Sequence, residues 1–78
     1  MERYIIDAFW DYEAQVWIAT SDDILGLVTE AENIDILIQK VRVIVTELLV
    51  LNHQVKNNNT QIKWDLIIHH QELLEVAS

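Results

Sequence analysis

The stretch Asn33-Ile34-Asp35-Ile36-Leu37-Ile38-Gln39-Lys40-Val41-Arg42-Val43-Ile44-Val45-Thr46-Glu47-Leu48-Leu49-Val50-Leu51 decides the fold. Ile34, Leu37, Ile38, Val41, Ile44, Val45, Leu48 and Leu51 recur at three- and four-residue spacing, the signature of an amphipathic helix with one core-facing stripe. Asn33 has the side chain of an N-cap, and Asp35 in the first turn suits the positive end of the helix dipole. A second apolar line, Ile36, Val43 and Val50, repeats every seven residues on the opposite side, with Lys40 and Glu47 between. Inside a monomer this line has nothing to pack against, so self-association is expected through it or through an open sheet edge.

Before the helix the periodicity is two. Tyr4, Ile6, Ala8 and Trp10 alternate with Ile5, Asp7 and Phe9, and Gln15 to Ser21 has the β-branched and aromatic content of a second strand. The polar connection Asp11-Tyr12-Glu13-Ala14 has hairpin length, which pairs these strands antiparallel. The chain's one glycine, Gly26, marks a turn before a short strand, Leu27 to Ala31. After the helix, His53 to Asn59 is polar and turn-rich, and Ile62, Trp64, Leu66 and Ile68 alternate with Lys63, Asp65, Ile67 and His69 as a fourth strand. Residues 70–78 are expected to form a helical turn or two, or to fray.

The expected class is therefore α+β: a three-stranded antiparallel sheet plus a C-terminal strand, with one long helix packed on one face. Seventy-eight residues suit a single domain, 1–78, with its sheet–helix core at about 3–69, because chains of about 60 residues already bury roughly 60% of their unfolded surface. Half the residues are apolar and no run approaches the ~18 uninterrupted apolar residues of a membrane span. Met1-Glu2-Arg3-Tyr4 does not read as a secretion signal, and the chain has no cysteine; a cytoplasmic protein is expected. A net charge of −8 repels phosphate backbones and attracts basic surfaces, which disfavours direct nucleic-acid binding and points to a basic partner. The same charge also serves solubility.

Three stretches carry a family resemblance: Trp10-Asp11-Tyr12-Glu13-Ala14-Gln15-Val16-Trp17-Ile18-Ala19-Thr20-Ser21, Asp22-Asp23-Ile24-Leu25-Gly26-Leu27-Val28-Thr29-Glu30-Ala31 and Glu47-Leu48-Leu49-Val50-Leu51-Asn52. They resemble the HicB-like antitoxin superfamily, in particular its stand-alone domains of unknown function, from about Tyr4 to Asn52 and more weakly to Ile68. The resemblance implies a partial ribonuclease-H-like sheet with a helix on one face. It also implies a role in binding and neutralising a small basic ribonuclease toxin. Two turn positions depart from the pattern: Leu25 stands where such proteins often have proline, and Gln15 where they often have glycine. Full-length antitoxins usually append a helix-turn-helix or ribbon-helix-helix module. Nothing after Asn52 is long enough to be one, so operator binding is not expected of this chain.

Catalysis is not expected. A two-metal nuclease needs several converging carboxylates, and only Asp7 and Asp65 offer themselves. His69 and His70 are adjacent and point to opposite faces of a strand, so with His53 they read as surface residues before metal ligands; no metal or cofactor is expected. Trp10, Trp17 and Trp64 are flanked by Asp11, Glu13 and Asp65 instead of Lys and Arg, which favours sheet core or a protein interface over base stacking. The acidic group Asp22, Asp23, Glu30, Glu32 and Asp35 surrounds the turn and the helix start. It is read as a toxin-docking patch, or equally as a solvated rim. The expected function is a non-catalytic, antitoxin-like domain, with a self-assembling structural or regulatory module as the alternative and a homodimer expected in either case.

Overall fold

A computed structural model of the protein describes residues 2–53 and 61–77. Strands β1 (Glu2–Asp11), β2 (Val16–Thr20) and β3 (Val28–Ala31) precede helix α1 (Ile34–Leu51) and strand β4 (Ile62–His69). The sheet order is β3-β2-β1-β4. β1–β2 and β2–β3 are antiparallel, whereas β4 lies parallel to β1, with Tyr4 opposite Trp64 and Phe9 opposite His69. The sheet is thus four-stranded and mixed, an α+β architecture with one helix, and β4 is a full member of the sheet. β3, β1 and β4 all run the same way, so the chain leaves one edge at β3, crosses as α1, and enters at the other edge as β4. The polar segment expected at His53 to Asn59 falls, from residue 54 onward, outside the described residues.

Two turns set up this path. In the first, the Asp11 carboxylate accepts from the Glu13 and Ala14 N–H groups at 3.0 and 3.2 Å, and Gln15 N–H donates to the Asp11 carbonyl at 2.8 Å. Gln15 sits at φ +59°, so it belongs to the turn and not to the second strand as expected. In the second, the Ser21 hydroxyl donates to the Ile5 carbonyl at 2.7 Å and accepts from Asp23 and Ile24 N–H at 3.0 and 3.1 Å. Gly26 takes φ +86°, which reverses the chain and turns Ile24 and Leu27 fully inward. Leu27, expected as a strand residue, is a core plug before β3 begins.

Asn33 caps α1 as expected, its side-chain oxygen accepting from Ile36 N–H at 2.8 Å. At the other end Asn52 Nδ2 donates to the Leu25 carbonyl at 2.8 Å, tying the helix to the glycine turn, and His53 follows in the left-handed region at φ +58°. The buried helix residues are Leu37, Val41, Val45 and Leu49, with Ile34, Ile44 and Leu48 packed against them. Leu51, expected in the core stripe, is 71% exposed, and Leu49 takes the buried place because it continues the four-residue ridge 37–41–45. The facing sheet surface supplies Tyr4, Ile6, Ala8, Ala19 and Ala31, all buried. The small alanines on three adjacent strands let the helix axis lie close to the sheet. Beyond His69 the chain is neither helix nor strand through residue 77, so of the two expectations for the tail, a helical turn or fraying, the helical turn is not formed.

Candidate interaction surfaces

The helix covers one face of the sheet. The alternate residues, among them Ile5, Asp7, Phe9, Ile18, Asp65, Ile67 and His69, occupy the other face, which no described element covers. There Arg3 Nε meets the Asp65 carboxylate at 2.5 Å and His69 Nε2 meets the Asp7 carboxylate at 2.9 Å. Both contacts link β1 to β4 with the same diagonal offset. The two carboxylates that a nuclease would use are therefore each engaged with a neighbouring side chain on an open surface. Among the described residues no group of three His, Cys, Asp or Glu side chains is placed to hold a metal ion.

The five acidic candidates are all exposed but are not gathered at one point. Asp22 and Asp23 lie in the loop after β2, beside the start of β1; Glu30 is on β3; Glu32 and Asp35 lie past the far end of β3. They are spread from the loop beside β1, across β3, to the start of the helix. Asp23 also has a structural task, since its carboxylate accepts from Ile5 N–H at 2.7 Å. Among the described residues Asp22, Glu30, Glu32 and Asp35 make no ion pair, and Lys40 Nζ donates to the Glu30 carbonyl at 2.8 Å instead of to a carboxylate.

On the outer face of α1, Ile36 and Val43 are exposed and Val50 is half-buried. They form the line expected from their spacing, interrupted by exposed Lys40 and Glu47.

The aromatic residues are used structurally. Trp10 and Trp17 are cross-strand partners in an edge-to-face pair with ring centroids 5.5 Å apart, and Trp17 and Trp64 pack against the core. Trp10, Trp17 and Tyr12 also wall a shallow cleft with His70 and Glu72, and the Tyr12 hydroxyl donates to the Gln71 carbonyl, holding the root of the C-terminal tail beside the hairpin. His70, expected to be a surface residue, lies there near Glu72.

What residue spacing did not reveal is the outer edge formed by β4. Ile67 and Ile68, on opposite faces of that strand, are 40% and 49% exposed. The signal was the run Leu66-Ile67-Ile68, three consecutive apolar residues in an otherwise alternating strand.

Residues 3–76 match the family described as Domain of unknown function (DUF1902). The chain belongs to this DUF1902 family. It is also similar to a solved structure, the hypothetical protein TTHA1013 from the extremely thermophilic bacterium Thermus thermophilus. The identity is 32%, the TM-score 0.73, and the match covers 94% of this chain and 100% of that one. No curated protein matches. No helix among the described residues is long and apolar enough to cross a membrane.

Proposed function

We propose that this DUF1902 chain is a HicB-like, non-catalytic binding domain of the cytoplasm that captures a small basic protein, of the ribonuclease-toxin type, on its β3 edge. The observation that carries this reading is the set of exposed carboxylates, Asp22, Glu30, Glu32 and Asp35, unpaired among the described residues. Carboxylates without internal partners break no ion pair when they turn toward a cationic surface, and in a chain of net charge −8 they add to a long-range attractive field. The sequence resemblance supplies the class of partner. Engagement of Asp7 and Asp65 by His69 and Arg3 supports a role without catalysis.

The toxin reading requires a small basic protein encoded beside this gene, and the test uses that protein. Its association rate with the wild type should fall as salt rises through ~0.15 M, where the Debye length is about 8 Å. A variant carrying Asp22→Asn, Glu30→Gln and Glu32→Gln should associate more slowly with its fold intact. Asp23 is left in place because it pins Ile5. A flat salt dependence together with an unchanged rate would reduce the set of carboxylates to a solvated rim. The alternative, a self-assembling structural or regulatory module without a toxin, draws on a different feature, the open β4 edge.

A further inference from the structure

β4 is an eight-residue edge strand, and its outward N–H and C=O groups have no strand partner in the sheet. Natural edges of this length are blunted by proline, bulges or inward charges, or else they are paired. β4 carries charge at Lys63, Asp65 and His69, but it has no proline, its pairing with β1 is continuous from Ile62 to His69, and it exposes Ile67 and Ile68 toward its C-terminal end. The outer line on α1 makes a weaker case, because the helix already satisfies its own backbone. The tail adds a second observation. The radius of gyration is 15.1 Å against about 11.5 Å for a compact chain of this length. Residues 70–77 run on from β4 with Leu73, Leu74 and Val76 almost wholly in water.

We propose that the occupant of this edge is a second copy of the chain, paired antiparallel through β4 about a two-fold axis at Ile67, so that two four-stranded sheets become one of eight strands. A two-fold perpendicular to the sheet is the symmetric way to join two identical edges antiparallel, and it keeps both helices on the same face. The choice of centre follows from the side chains. With Ile67 on the axis, Leu66 lies opposite the copy's Ile68 on the helix side. On the open side Ile67 meets its own counterpart, and Asp65 lies opposite the copy's His69. The ion-pair pattern of each sheet then continues across the seam as Arg3, Asp65, and the copy's His69 and Asp7. Moving the axis to Asp65 sets two aspartates face to face; moving it to Leu66 or Ile68 sets Asp65 against Ile67 or Gln71. An axis at Trp64 also pairs opposite charges, Lys63 with Asp65, and overlaps the same number of strand residues, Ile62 to Leu66, but it leaves both exposed isoleucines beyond the copy's strand. The axis at Ile67 also gives Gln71 and Glu72, at the tail's root, a strand to lie against. This inference is independent of the toxin reading, which uses the opposite edge.

The chain's lack of cysteine makes a clean test possible. Residues facing each other across an antiparallel pair have Cα atoms about 4.5–5.5 Å apart, within disulfide range. The full-length wild type should have the mass of a dimer by light scattering. Ile67→Cys should cross-link to a covalent dimer under mild oxidation. Lys63→Cys, on the same face but about 26 Å from its counterpart in this register, should not. Ile67→Lys sets two cations face to face and should weaken the dimer at least about tenfold. Because Ile67 is already partly exposed the variant should fold; should it not, the cross-linking pair decides alone. A wild type that is monomeric at high micromolar concentration would overturn the proposal. Cross-linking through Val43→Cys but not Ile67→Cys would overturn it too, by moving the contact to the helix. So would a β4 edge protected only by the basic partner.

Discussion

The two edges of the sheet are opposites. The β3 edge is four residues long, lined by carboxylates, and tied down by the glycine turn, the Lys40 contact to the Glu30 carbonyl and the helix that follows it. The β4 edge is twice as long, apolar toward its C-terminal end, and continues into an exposed tail. Both belong to one fold and rest on one core, so the contrast concerns what each edge leaves unsatisfied. At β3 the backbone edge is short and charge is in surplus; at β4 Asp65 and His69 are paired and the backbone and apolar surface are in surplus. An acidic, short edge suits a long-range, salt-sensitive encounter with a basic surface. A long apolar edge suits strand pairing at contact distance.

Substitutions that separate the edges should sharpen this contrast. The largest effect is expected at the root of the β3 edge, where Ile24 is fully buried beneath the glycine turn. Ile24→Ala should cost about 2–5 kcal/mol of unfolding free energy in a denaturant titration. The corresponding change at the other edge, Ile68→Ser, should cost well under 1 kcal/mol in the monomer. Equal losses at the two sites would mean that the β4 edge is core and the contrast is wrong.

Next in size is Ser21→Ala, which removes a hydroxyl serving three backbone groups between β1 and the glycine turn. A loss of about 1–3 kcal/mol is expected, because the Ile5 carbonyl and two N–H groups lose their partner in a partly buried place. Asn33→Ala should cost about 1 kcal/mol through the lost cap on Ile36. It would leave the β4 edge untouched, so thermal stability should fall without change in self-association. In the opposite direction, Gln15→Gly relieves a left-handed backbone at the hairpin and should stabilise the fold by up to about 1 kcal/mol, read as a rise in Tm. The smallest effect on stability, within about 0.5 kcal/mol, is expected for Glu30→Gln with Glu32→Gln, whose consequence should appear only in binding.

Local chemistry made much of the chain legible before any coordinates. The fourth strand, Ile62–His69, and the helix from its Asn33 cap to Leu51 have the expected bounds, because capping and the periods of two and 3.6 depend only on near neighbours. Gly26 in a reversing turn follows from its freedom at positive φ. The outer line Ile36, Val43 and Val50, exposed at its first two members, follows from spacing on a helix. Tertiary structure decided the rest. Which stripe residue is buried at the helix end, Leu49 and not Leu51, depends on where the helix axis crosses the sheet. Parallel placement of β4 beside β1 depends on a crossover spanning the whole sheet, and no local pattern encodes a partner about sixty residues away. That placement makes β4 an edge, turns Leu66-Ile67-Ile68 from a strand signal into a surface, and brings Asp7 to His69 and Arg3 to Asp65. The acidic residues are spread apart because β3 separates the loop that holds Asp22 from the helix start that holds Asp35.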